Sequence, residues 1–297
     1  MAAPTGRARE ERRLAWMLVA PSVIVMLLVT GYPIVYAIYL SMQKFDLRFP
    51  DEKEFVGFSN YTDVLTSSTW WTDVFNTMVI TVSSVAIELV LGMAIALVMH
   101  RAIFGRGPVR AAILIPYGIV TVVAAFAWRY AFDPTNGFVK NLPLISDTAD
   151  PLGDRGGSFL VIVLTEVWKT TPFMALLLLA GLALVPDELH EAAKVDGASV
   201  WQRFRRITLP LMKPAIVVAL LFRTLDAFRV FDSVFIMTKG ANDTETVSIL
   251  GYNVLINRVN LGLGSAVSVL IFLAVILIAV FFVKVLGAST EQQRGET

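Results

Sequence analysis

An all-α, polytopic membrane protein is the fold this sequence predicts, and three observations carry the prediction. Of 297 residues, 56% are hydrophobic and 16% charged, with a mean hydropathy of +0.68, which is more apolar surface than a water-soluble chain of this length buries. Several apolar runs reach the roughly 20 residues that a helix needs to cross a hydrocarbon core of about 30 Å. These runs are solid rather than alternating with period two, which argues against a membrane barrel, the other architecture that satisfies every backbone group in lipid.

Six runs qualify as spans, at about 14–41, 74–100, 110–132, 158–184, 211–237 and 264–286. They divide the chain into a short amino-terminal segment at 1–13, a transmembrane domain at 14–287 and a tail at 288–297. Arg7, Arg9, Arg12 and Arg13 precede the first run, as in a secretory signal. The run exceeds the roughly 7–15 apolar residues of a cleaved signal, so a retained anchor is expected.

With six spans, both termini and the second and fourth connections share one side of the membrane. That side carries the four leading arginines, then Arg101, Arg106 and Arg110, then Lys194, Arg203, Arg205 and Arg206, and finally Lys284 and Arg294. Thirteen basic residues therefore face seven on the other side, namely Lys44, Arg48, Lys53, Lys140, Arg155, Lys239 and Arg258. The positive-inside rule makes the richer side cytoplasmic. Within the first outer connection, "FDLRFPDEKEFVGFSNYTDVLTSSTWW", Trp70 and Trp71 are expected as interfacial anchors, with contact to an external partner as the lesser alternative.

Composition also excludes chemistry. There is no cysteine, so disulfides and thiolate sites are ruled out, and His100 and His190 alone make no multi-histidine metal centre. No catalytic triad or paired active-site carboxylates emerge, and neither a metal site nor a nucleic-acid surface is expected. No G-x-x-x-x-G-K-[ST] phosphate loop occurs, so the chain has no evident means of hydrolysing ATP.

The fourth connection, "PDELHEAAKVDGASVWQRFRRITLP" at 186–210, is charged and amphipathic between apolar neighbours. Asp187 is expected as an N-cap, with Glu188 and Glu191 favouring the positive end of a helix that runs to about Val195. Gly197 then allows a turn, Trp201, Phe204 and Ile207 mark a second helical segment, and Pro210 closes it. Ala192 and Ala193 leave a low surface flanked by Glu191 and Lys194, suited to a groove on a partner protein. A helix lying on the bilayer, drawn there by Arg203, Arg205 and Arg206, explains the same pattern equally well.

In the fifth run, Arg223, Asp226, Arg229 and Asp232 follow one another at three-residue intervals. On one helix such neighbours pair along the surface. Two readings stand side by side: an ion ladder that only satisfies itself, or a polar wall of a solute passage. Glu166, Lys169 and Thr170 in the fourth run and Asn76 in the second are candidates for the same wall. Glu88 suits helix packing as well as lining, and Tyr117, Trp128 and Phe228 suit packing better than stacking on a solute. Gly31, Pro33 and Pro172 interrupt spans and suggest hinges, though such residues are common in membrane helices.

Glu191-Ala192-Ala193, three residues, Gly197, nine residues, Ile207, one residue, Leu209-Pro210 resembles the EAA signature of binding-protein-dependent ABC importer permeases at each defining position. "FVGFSNYTDVL" with Asn76-Thr77, "FDSVFIMTKG" and "GLGSAVSVLIF" resemble the sugar-permease branch of that family. One departure is Lys239-Gly240-Ala241-Asn242-Asp243, where the family often has Gly-Gly-Pro. The resemblance implies the six-span type I importer permease fold, with no catalytic residue and no cofactor in this chain.

It implies partners as well: a second homologous permease, two cytosolic ATPase subunits that bind ATP and Mg, an extracytoplasmic solute-binding protein or lipoprotein, and membrane lipid. Glu191, Ala192, Ala193, Asp196 and Gly197 take the role of coupling to the ATPase. The implied cargo is a carbohydrate, trehalose or another di- or oligosaccharide, whose hydroxyls suit paired Asp and Arg groups. The alternative from the residues is a secondary transporter that uses the intramembrane charges as an ion relay.

Overall fold

The computed structural model describes residues 6–101, 106–139 and 150–287. The expected tail, with Arg294, and Lys140 lie outside them. The described chain is helical apart from loops and one small ribbon, and it forms two compact units.

The first unit comprises residues up to 66 together with 251–270. α1 (Gly6–Met26) passes through a π-helical turn at Leu27–Gly31 into α2 (Tyr32–Ser41). The interruption expected at Gly31 and Pro33 is therefore a local widening, which accommodates a proline without breaking the helix. β1 (Gln43–Lys44) and β2 (Glu54–Phe55) pair antiparallel, and α3 (Ser59–Thr66) follows.

The "FVGFSNY" element acts as a clasp on this unit. Gly57 takes φ +58°, and the buried Asn60 amide donates to the carbonyls of Ser41 and Gln43 at 2.8 and 2.9 Å. Tyr61 Oη lies 2.6 Å from Ser41 Oγ. Asp46 bridges to Asn260, and Gly262 N–H donates to the Phe45 carbonyl at 3.0 Å, which fastens the loop to the chain after residue 251.

The second unit comprises 67–250 and the residues from 271 onward. α4 (Ser68–Arg101), α5 (Arg106–Gly118), α6 (Thr121–Ala131) and α7 (Arg155–Leu182) come first. α8 (Asp187–Val195) and α9 (Val200–Arg203) are followed by a π-helical turn at Phe204–Thr208 and α10 (Leu209–Leu211). α11 (Lys213–Ala227), α12 (Asp232–Met237), α13 (Val247–Tyr252) and α14 (Leu261–Phe281) complete the order, the last two running across the boundary between units.

α4 lies against α7, and at Gly92 a Cβ would come within 2.8 Å of Met174 Cγ, closer than any side chain tolerates. One core gathers Val85, Met93, Met174, Leu178 and Met212, and another Ile80, Ala125, Ile162, Val234 and Ile249.

By length and composition, four described helices can cross a membrane: Arg13–Ser41, Ser68–His100, Arg155–Leu182 and Leu261–Lys284. Two bent pairs raise the number to six if each pair counts as one span. The expected span at 110–132 is broken at Ile119 and Val120, where 111–118 and 121–131 meet at 93°. Pro116 and Gly118 weaken the end of α5, and Val120 leaves the helical region at φ −58°, ψ 133°.

The expected span at 211–237 is not continuous either. Its path turns by 67° between 200–211 and 213–237, and α11 ends at Ala227 before α12 begins at Asp232. The turn at Met212 lies between Pro210 and Pro214, whereas no proline or glycine marks the break at 228–231. Instead the buried Phe228 and Val230 turn inward, and Thr246 Oγ1 donates to the Val230 carbonyl at 3.4 Å.

Two further expectations change. Trp70 is 6% exposed and belongs to the packed first turn of α4, so only Trp71, at 57%, has the exposure of an interfacial ring. Pro210 does not close the fourth connection but lies within α10, in a helical path that continues to Met212.

Candidate functional site

Both helix breaks open onto one cavity of about 420 Å³. Tyr117 and Thr121 flank the first break, and Arg229, Val230, Phe231 and Asp232 form or follow the second. α7 contributes Glu166, Lys169 and Thr170, and α11 contributes Asp226. Irregular backbone is tolerated at membrane depth where it lines a wet cavity, because water or polar side chains then satisfy the freed carbonyls. A polar cavity thus makes both breaks tolerable, although the local cause of each differs.

Behind this wall sits Arg223. Its Nε donates to Glu88 Oε2 at 2.6 Å and its Nη2 to Glu88 Oε1 at 3.0 Å, a bidentate pair across α4 and α11. Nη2 also donates to Glu166 Oε2 at 3.0 Å, and Nη1 to Asp226 Oδ2 at 2.9 Å. Thr170 Oγ1 donates to Glu88 Oε1 at 2.8 Å, and Ser233 Oγ donates to Glu166 Oε1. Arg223 and Glu88 are buried at 1% and 0% exposure, while Asp226 is 66% exposed toward the cavity side.

The ladder expected along the fifth span is therefore corrected. Arg223 and Asp226 do pair at three-residue spacing, but the helix ends at Ala227 and the periodicity ends with it. Arg229 Nε donates to the Leu225 carbonyl at 3.2 Å, and Asp232 opens a new helix. The remaining partners of Arg223 come from α4 and α7, and Glu88, left between packing and lining by the sequence, is the principal one.

Of the residues expected on a polar wall, Glu166, Lys169, Thr170, Asp226, Arg229 and Asp232 converge on the cavity, with Arg223 behind them. Asn76 does not line it. Fully buried in α4, its amide donates to the carbonyls of Asp243 and Glu245 at 2.9 and 2.8 Å and its Oδ1 accepts from Arg155 at 3.0 Å, an architectural clamp on the following loop. Among the aromatics, Tyr117 lines the cavity beneath Lys169 Nζ, 5.6 Å from the ring centroid, and stacks on Phe173 at 5.4 Å. Trp128 packs on Phe132 and Trp168, and Phe228 is buried.

The segment at 186–210 forms the expected two helices with a glycine turn between. Pro186, not Asp187, occupies the N-cap, because Asp187 has already entered the first turn, where its charge still favours the helix terminus. Gly197 has φ +77° and nothing within 4 Å of where a Cβ would stand, so its need is conformational. Ser199 and Gln202 complete a capping box for α9, a signal present in the sequence as S-x-x-Q. Glu191, Ala192 and Asp196 are exposed and Ala193 half-buried, and nearby Val195 is 88% exposed and Trp201 66%.

A bundle of membrane-length helices around a charged cavity fits a membrane transport subunit. Residues 65–292 match the family described as "Binding-protein-dependent transport system inner membrane component", and the chain belongs to that family.

It is 56% identical over 285 residues to the trehalose transport system permease protein SugA of Mycobacterium tuberculosis (strain ATCC 25618 / H37Rv), covering 96% of this chain and 92% of that one. It is 38% identical over 279 residues to the trehalose/maltose transport system permease protein MalF of Thermococcus litoralis, covering 93% and 94%. Its fold matches a chain in the crystal structure of a bacterial ABC transporter involved in import of the acidic polysaccharide alginate, with a TM-score of 0.80 at 22% identity over 95% of this chain and 99% of that one. The protein is thus an inner-membrane permease subunit with the fold of ABC importer permeases.

Proposed function

We propose that the chain forms half of the passage of an ATP-driven importer for a carbohydrate, trehalose or another di- or oligosaccharide. The observation that carries the reading is the convergence of six polar and charged side chains on the cavity of about 420 Å³, a volume within the range of small-ligand pockets. Alternating carboxylates and cations offer fixed acceptors and donors to vicinal hydroxyls. Trehalose stands in the names of the two relatives above, which supports that cargo.

In this reading 111–131 counts as one span despite its break and 213–237 as another, making six, with both termini and the 186–210 segment cytoplasmic. Residues 14–287 form the transmembrane domain, between a short cytoplasmic segment at 1–13 and the tail at 288–297. Glu191, Ala192, Ala193, Asp196 and Gly197 dock into a cytosolic ATPase subunit, supported by their exposure and by the rigid turn at Gly197. ATP and Mg belong to two such subunits, a second homologous permease completes the passage, and an external solute-binding protein delivers cargo. The alternative, a secondary transporter that uses these charges as an ion relay, needs no ATPase, and the dependence of uptake on ATP decides between the two.

The test is solute-stimulated ATP hydrolysis by the purified complex in lipid nanodiscs. Gly197→Pro locks φ near −65° and removes the N–H that donates to the Lys194 carbonyl at 3.1 Å. Stimulation should fall to the basal rate. Full stimulation in this variant, or uptake without ATP, would overturn the assignment.

A further inference from the structure

We infer that a second cavity, beneath the 186–210 segment, binds an anionic phospholipid by its phosphate. The inference rests on the proposed topology, which places this segment at the cytoplasmic face.

The cavity measures about 830 Å³ and lies where α4 and α7 end, at Leu97 and His100 and at Leu182 and Val185. α8 faces it with His190 and Lys194, and α9 with its following turn adds Trp201, Arg203 and Phe204. Two permanent cations and two imidazoles thus meet one carboxylate, Asp187, among the described lining residues. Arg203 Nε is buried without a hydrogen-bond partner in the described structure. A buried donor with no acceptor is costly, and a phosphate oxygen is the acceptor that a guanidinium prefers. Thr208 Oγ1 lies 3.4 Å from His190 Nε2, so one imidazole nitrogen is already engaged on this wall.

The apolar part of the lining distinguishes a lipid from a soluble anion. Leu97, Leu182, Val185, Trp201 and Phe204 give the site an apolar half that inorganic phosphate would leave uncovered, whereas glycerol and the first acyl methylenes fill it. The ends of two spans are also the depth at which headgroups lie, and basic pockets between helices on the cytoplasmic side suit anionic headgroups.

Native mass spectrometry of the intact complex, reconstituted in equimolar phosphatidylglycerol and phosphatidylcholine, tests this. The wild type should retain phosphatidylglycerol over phosphatidylcholine by at least about fivefold, the contribution of one cation near a membrane surface. Arg203→Gln and, independently, Lys194→Gln should each reduce that preference by about fivefold; Lys194 is exposed, so its variant folds even if the other does not. Equal retention of both lipids by the wild type, or an unchanged preference in Lys194→Gln, would sink the idea. Because the readout is bound mass rather than ATP turnover, a wild-type complex that prefers phosphatidylglycerol but shows no solute-stimulated ATP hydrolysis counts against the functional reading alone, and one that is stimulated but retains both lipids equally counts against this one alone.

Discussion

Arg223 carries one positive charge against three carboxylates, and at 1% exposure it has no water to replace them. Removing one partner of a buried pair costs about 3–5 kcal/mol because the other charge is left uncompensated. Arg223→Ala strands Glu88 and Glu166, both buried, and should lower the thermal midpoint of the detergent-solubilised chain sharply. Arg223→Met combined with Glu88→Leu removes the most buried pair together, leaving Glu166 bonded to Ser233, and should recover part of that loss. If the single variant melts like the wild type, the network has no structural role. The arginine itself was legible as an intramembrane charge, but its main partner was not. Glu88 lies 135 positions away, and no helical periodicity connects residues on two different elements.

At the scale of elements, long apolar runs located the helices, whereas their breaks had no uniform signal. The break after Gly118 follows a proline and a glycine, while the one at 228–231 has neither and arises from inward packing of Phe228 and Val230. The charged spacing of the fifth span picks out residues that line one cavity, by way of a helix that does not persist.

The loop after α12 differs again, with Lys239, Asn242 and Asp243 at φ +55°, +57° and +54° and Gly240 at +85°. A left-handed backbone costs a β-bearing residue about 1 kcal/mol or more, which glycine avoids. Lys239→Gly should therefore stabilise the protein by up to about 1 kcal/mol, less what glycine loses in unfolded-state entropy. The check is a rise of the heat-aggregation midpoint in detergent, with Ala241→Gly, which has no such φ, showing none.

For the whole molecule, the proposed passage and the proposed coupling segment occupy separate stretches of chain, legible in the sequence to different degrees. In the 186–210 segment the two helices and the Gly197 turn are legible because their spacing is local, whereas its ends are not: Pro186 takes the N-cap expected of Asp187, and Pro210 lies inside a helix. The cavity needed α5, α6, α7, α11 and α12 brought together, so its residue types were visible but not its membership, and Asn76 was assigned to it although its amide is spent on the 243–245 backbone.

This separation predicts two classes of variant. Asp232 faces the cavity at the start of α12 and lies outside the Arg223 network, so Asp232→Asn changes an acceptor without stranding a buried charge. A hydrogen bond to a charged group contributes about 1.5–3 kcal/mol, so uptake of labelled trehalose into proteoliposomes should fall roughly tenfold or more. ATP hydrolysis stimulated by the binding protein should persist, because the 186–210 segment is untouched. Gly197→Pro should abolish both. If Asp232→Asn loses stimulation in parallel with uptake, the cavity and the coupling segment act as one unit, and Asp232 does not belong to the passage wall alone.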